Sequence, residues 1–170
     1  MGQAYLLILI GIIFNRFNFY IPSIGIDLLP DFIGYLLTLL GVMKLISVRE
    51  SPVYTLAKIL SICFLLNEVA KYFFYSSLFQ HVILALFTSM VLMIGQIVMY
   101  RCIIHGSYLV TNDSAILRHE RVYTIIAVIS ILIYLYLCFF GGYLILMNLS
   151  ALVETLFLLF IFIRLYKMKA

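Results

Sequence analysis

Charge is what this 170-residue sequence lacks most. Only 11% of its residues are Asp, Glu, Lys or Arg and 66% are hydrophobic, whereas an ordinary soluble domain carries about 25% charged and about 45–50% apolar residues. A globule of this size cannot hide so much apolar side chain, and large apolar patches left in water lead to association. A soluble domain is therefore excluded, and the mean hydropathy of +1.20 agrees. Cysteine is also scarce. Cys63, Cys102 and Cys138 are odd in number and show no C-x-x-C spacing, which argues against a disulfide framework or zinc site and for small buried hydrophobes. The pI of about 9.0 and net charge of +4 come from basic residues scattered at the ends of apolar blocks. Without a dense basic patch, nucleic acid is set aside as a partner.

Catalytic signatures are missing too. No H-E-x-x-H, G-x-S-x-G, Walker-type or G-x-G-x-x-G pattern occurs, so no catalytic residue, metal or cofactor is nominated and the reading leans away from an enzyme. His81, His105 and His119 lack metal-ligand spacing, and His119 beside Glu120 reads as a solvated interfacial residue. No repeat relates the two halves of the chain, which weakens an inverted-repeat transporter. The short apolar run from Tyr5 to Phe14 has no basic n-region and no A-x-A-like site, so it is expected to be retained and not cleaved as a signal peptide. Leu6 stands where a myristoylation motif needs Ser or Thr.

What is present is apolar residues in unbroken blocks. Only helices and closed barrels satisfy the backbone in hydrocarbon, and blocks without alternation favour helices. A spanning helix needs about 20 mostly apolar residues, and the blocks that meet or approach this are 4–22, 30–47, 56–76, 81–104, 122–140 and 143–165. The expectation is an all-α integral membrane bundle of six transmembrane helices forming one domain over 1–170. Asn15, Arg16 and Asn18 interrupt the first block, so it reads as short, tilted or partly re-entrant; five spans with a re-entrant start is the alternative. Pro22 to Pro30, Ser51-Pro52, Thr111 to Ser114 and Gly141-Gly142 separate the blocks, the last implying a tight hairpin. Asp113 or Ser114 is expected to cap a helix whose first turns, Ala115 to Arg121, are amphipathic and interfacial.

Lys and Arg in short loops stay on the cytoplasmic side. Nine of the eleven basic residues, Lys44, Arg49, Lys58, Arg101, Arg118, Arg121, Arg164, Lys167 and Lys169, fall on one side of a six-span arrangement. Both termini are accordingly expected in the cytoplasm. Aromatic residues near block ends, as at Phe17 to Tyr20, Tyr72 to Tyr75 and Tyr166, suit interfacial anchoring. The lipid bilayer is the expected surrounding, with a homo-oligomer or a membrane partner protein as the further partner.

The segment Gly25-Ile26-Asp27-Leu28-Leu29-Pro30-Asp31-Phe32-Ile33-Gly34-Tyr35 resembles small multi-pass membrane proteins of Gram-positive bacteria that carry a D-x-L-P-D-F-I-G-Y stretch ahead of their second membrane helix. The resemblance covers about a sixth of the chain and implies a bacterial cytoplasmic membrane, with no activity attached. Physically, Pro30 suits the first helical position and Asp31 the first turn, where a carboxylate opposes the helix dipole. Asp27 could cap. Both aspartates either fix the start of this helix or attract a cation or basic ligand. Gly34, Thr38 and Gly41 lie at i, i+4 and i+7, a narrow stripe that lets helices approach closely.

Charges inside apolar blocks mark candidate sites. Asn67, Glu68 and Lys71 sit together in the third block, Lys71 one turn from Glu68, and read either as a structural ion pair with a snorkelling lysine or as part of a site. Ser61 lies on the same face. In the fourth block Ser89 and Gln96 share a face. Glu154 lies midway through the sixth block with no basic residue of its own helix in reach. It needs a partner, a proton or water, and reads equally as a protonated structural acid or as a proton or cation relay. Arg16, Asp27, Asp31, Asn67, Glu68, Lys71 and Glu154 thus form the candidate polar or ligand-binding cluster. The functional expectation is small-solute or ion transport through an outward-facing polar cavity; the alternative is a non-catalytic accessory or scaffold subunit of a membrane complex.

Overall fold

The apolar blocks fold as helices wherever Pro, Asn or Asp punctuates them. The computed structural model describes the backbone of residues 1–16, 20–21, 26–27, 31–78, 82–140 and 144–169, and the side chains of residues 1–16, 31–71, 87–138 and 146–168. Among the described residues are six α-helices: α1 (Gly2–Arg16), α2 (Asp31–Val48), α3 (Pro52–Leu78), α4 (Val82–Thr111), α5 (Ser114–Phe140) and α6 (Leu144–Lys169). Several expectations lie outside the described residues: the Asp27 side chain, most of Pro22 to Pro30, the side chains of Tyr72 to Tyr75, His81 and Gly141-Gly142.

The all-α expectation holds with one small addition. Between α1 and α2, β1 (Tyr20–Ile21) pairs antiparallel with β2 (Ile26–Asp27), Tyr20 opposite Asp27 and Ile21 opposite Ile26. Several helix bounds reach beyond the apolar blocks, among them the start of α3, the end of α4 and the start of α5. Pro52 occupies the first position of α3, where its missing N–H is no loss. Asn112 adopts φ 53° and returns its N–H to the Tyr108 carbonyl at 2.7 Å, a left-handed cap that ends α4. Asp113 Oδ1 then accepts the Ala115 N–H at 2.8 Å, so α5 starts at once. The stretch expected to lie in the interface is therefore the first two turns of a continuous helix, with Ile116 and Glu120 buried.

The helices form a closed ring in chain order. Each packs against its sequence neighbours, and α6 closes against α1. Five helices are long and apolar enough to cross a membrane, with spans Asp31–Val48, Pro52–Lys71, Phe87–Thr111, Ser114–Cys138 and Leu146–Met168, and α1 is a shorter apolar helix. Large apolar side chains such as Leu40, Ile59, Ile125, Leu132, Leu149 and Phe160 cover the outside, as a bilayer environment requires. The fold is that of a multi-pass helical membrane bundle.

Helix length decides where polar groups end up. At 1.5 Å per residue the 15 residues of α1 span about 22 Å, short of the roughly 30 Å hydrocarbon thickness, whereas α3 to α6 each exceed it. Arg16 therefore ends α1 inside the bundle. From Glu154 to Lys169 is fifteen residues, also about 22 Å, so the two side chains stand at one height. The nine basic residues counted above all lie toward the opposite end of the helices, here termed the basic end; α2 starts at the far end.

α1 and α2 meet at backbone contact. A Cβ on Gly11 would stand 2.5 Å from Thr38 Oγ1 and 2.6 Å from the Gly34 carbonyl, and one on Gly41 would stand 2.8 Å from the Ala4 carbonyl. On Gly34 it would collide with the Asn15 side chain. The Gly34, Thr38 and Gly41 stripe is thus buried within the chain, with Gly11 as its counterpart. Of the cysteines, only Cys102 is buried; Cys63 and Cys138 are exposed. The expectation of three buried cysteines is corrected for those two, since a thiol is apolar enough to join a lipid-facing surface.

Candidate functional site

The polar residues of the far half arise from four short sequence signals brought together by the ring. α1 ends on Asn15-Arg16, α2 begins on Asp31 with Tyr35 one turn later, α3 carries Glu68 and Lys71, and α6 carries Glu154. The first of the resulting groups is an ion pair. Arg16 Nη2 donates to Glu154 Oε1 at 3.0 Å, with Glu154 only 2% exposed. The Tyr123 hydroxyl donates to the same oxygen at 3.2 Å, so the carboxylate has an α1 partner and an α5 partner. Tyr100 from α4 stands beside Arg16 and Asn15, its hydroxyl fully buried against the Asn15 side chain. Arg16 Nε is buried without a hydrogen-bond partner. Buried donors and acceptors of this kind are uncommon, and each needs a water, an ion or a ligand to account for it.

The second group surrounds a cavity of about 230 Å³. Asn15, Asp31 and Tyr35 line it from α1 and α2, Glu68 and Lys71 from α3, and Ser89 and Gln96 from α4, over an apolar wall of Phe64, Leu92 and Met93. Glu68 Oε1 accepts from Lys71 Nζ at 2.6 Å and from Asn67 Nδ2 at 3.3 Å. Gln96 donates to the Tyr35 hydroxyl across the cavity, and Tyr35 stacks on Phe64 at 5.2 Å between centroids. Asn15 connects the two groups: it lines the cavity and adjoins Arg16 in sequence.

The candidate residues thus divide. Asp31, Glu68 and Lys71 border the cavity, Asn67 supports Glu68 from its side, and Arg16 and Glu154 pair beneath, away from its lining. Asp27 contributes backbone pairing to Tyr20, and its side chain lies outside the described residues. Ser61, expected to continue the polar stripe, instead donates to the Ala57 carbonyl at 2.8 Å and also lies 3.2 Å from Met99 Sδ. Ser150, one turn from Glu154, bonds the Met147 carbonyl instead.

Two arrangements had no signal in the sequence reading. Glu120 is buried and joins His105 Nδ1 at 2.8 Å and Arg101 Nε at 3.2 Å, while His119 meets Arg164 at 2.7 Å. Spacing along α5 could have separated them, because Glu120 falls at i+4 from the buried Ile116 and His119 does not. The second is a set of interior tyrosines. Tyr5, Tyr35, Tyr54, Tyr100 and Tyr123 are all buried, whereas aromatic residues are read from the sequence only near block ends, as interfacial anchors. No family model, curated protein or solved structure matches this chain. Fold and site define a multi-pass α-helical membrane protein with polar groups turned inward.

Proposed function

We propose that this protein binds and moves a small solute or ion through the polar cavity bordered by Asn15, Asp31, Tyr35, Glu68, Lys71 and Gln96. The observation that carries the reading is the cavity itself: charged and hydrogen-bonding side chains from four helices converge on one space in a chain whose exterior is apolar. A space of about 230 Å³ is somewhat below the roughly 300–1,000 Å³ of drug-sized ligand sites and suits a small solute. The accessory-subunit reading would have intramembrane polar groups or the small-residue stripe directed outward to a partner. Among the described residues the stripe is spent on α1 and Glu154 on Arg16.

In this reading the protein lies in a bacterial cytoplasmic membrane, as the resemblance around Asp31 implies. Both chain ends face the cytoplasm, because the nine basic residues gather at one end of the bundle. The cavity then opens toward the outside. The test is a thermal-shift screen of small cations, anions, zwitterions and neutral polyols on the purified protein, followed by proteoliposome uptake of any hit. At least one class is expected to raise the melting temperature of the wild type and not that of Met93→Trp, which fills the cavity without removing a charge. A screen without a hit, or a shift and uptake unchanged by Met93→Trp, would overturn the reading.

A further inference from the structure

At the basic end of the ring, independently of what fills the far cavity, we propose that a groove between α3, α4 and α5 holds the phosphate of one anionic phospholipid. The groove has a volume of about 260 Å³ and is lined by Val53 of α3, by Val98, Arg101, Cys102 and His105 of α4, and by Glu120 of α5. Val53 is the second residue of α3, so the groove lies at the level where that helix enters the bilayer. At this depth Lys and Arg side chains meet lipid headgroups, and basic pockets between membrane helices take up anionic ones.

Glu120 decides which atoms of Arg101 remain available. Its Oε2 meets His105 Nδ1 at 2.8 Å and its Oε1 accepts from Arg101 Nε at 3.2 Å. With Oε2 taken by the imidazole, the guanidinium is held through one nitrogen, and among the described residues its two terminal nitrogens have no hydrogen-bond partner. The Glu120 side chain is 7% exposed and that of Arg101 56%. The carboxylate therefore anchors the guanidinium from the protein side, and the pair is a dipole with its positive end outward. A guanidinium fork matches two oxygens of a phosphate and is weakly hydrated, whereas an ammonium offers only a point charge.

The flank of the groove favours a lipid over a free phosphate. Val91, Ile94 and Val98 precede Arg101 by ten, seven and three residues, on one face of α4, and all three are exposed. They run from Arg101 toward the middle of the bilayer. A charged fork above an apolar stripe on the same helix face is complementary to a headgroup phosphate and the acyl chain beneath it; a free phosphate would use the fork alone.

The test is native mass spectrometry of the whole purified chain in detergent, supplied with equal amounts of dioleoylphosphatidylglycerol and dioleoylphosphatidylcholine. The wild type is expected to retain one phosphatidylglycerol in preference to phosphatidylcholine, and ammonium phosphate in excess is expected not to displace it. Arg101→Gln is expected to weaken this retention at least about tenfold, the effect of losing hydrogen bonds between charged groups. Arg101→Lys keeps the charge but not the fork, and is expected to weaken it as well. Arg118→Gln, which removes an exposed charge of the same end outside the groove, is expected to leave it within about twofold. Equal retention of the two lipids, retention unchanged in both Arg101 variants, or an equal loss in Arg118→Gln would overturn the proposal. Displacement by ammonium phosphate would overturn it in favour of free phosphate, and a dimer of the chain that disappears with Arg101→Gln in favour of a second copy.

Discussion

The two ends of this bundle use the same chemistry under different solvation. In the far half, Arg16 and Glu154 form a pair in which the carboxylate is 2% exposed. At the basic end, the buried Glu120 meets Arg101, which is 56% exposed, and also His105. In the first pair the guanidinium is only 16% exposed, and the other partner of Glu154 is the neutral Tyr123 hydroxyl. The second keeps its cation in contact with the surroundings and offers the carboxylate a spare partner. Geometry at 3.0 and 3.2 Å barely distinguishes them; burial and redundancy do. The lesson is that in a membrane chain the cost of deleting a charge is set by what remains buried after the deletion.

That difference can be tested in order of expected size. Arg16→Met leaves Glu154 buried with Tyr123 alone, and loss of one partner of a buried pair costs about 3–5 kcal/mol; a marked fall in melting temperature of the detergent-solubilised protein is the readout. Gly34→Leu drives a side chain into Asn15 and the α1 backbone. Overpacking of this kind costs about 3 kcal/mol, measured by the same melt, with Leu36→Ala on the exposed face as an inert control. Asp113→Ala removes the α5 cap and is expected to cost about 1 kcal/mol, read as faster hydrogen exchange of the Ala115 amide. Arg101→Gln is expected to cost less than about 1 kcal/mol, because His105 still holds Glu120. A loss there as large as that of Arg16→Met would break the comparison.

Much of the fold is legible in the chain because the relevant signals are local. Apolar block length gives the helices, Pro52 and Asp113 mark their starts, and the i, i+4, i+7 spacing of Gly34, Thr38 and Gly41 marks a close contact. Glu154 advertises the need for a partner by its isolation. Its partner was legible only as one member of the candidate cluster, since Arg16 is 138 positions away and is brought to the same height because α1 is short and α6 closes the ring. The burial of Glu120 was hidden by its basic neighbours Arg118 and Arg121, which made the whole stretch look solvated. The interior tyrosines were hidden by ambiguity, since an amphipathic ring in an apolar run suits either a membrane interface or a packed lumen. The antiparallel pairing of Tyr20–Ile21 with Ile26–Asp27 lay within a stretch whose prolines and glycine announced only a break.

α1 and α6 are joined inside the ring by a charge pair whose members depend on each other. The most direct measurement is a double-mutant cycle on thermal stability with Arg16→Met, Glu154→Leu and the two combined. Replacing a whole buried pair by apolar side chains is often neutral, while removing one member costs about 3–5 kcal/mol. Each single variant is expected to be strongly destabilised, and the double variant to recover most of the loss. Losses that simply add in the double variant would contradict it, because they would mean that the two charges do not meet.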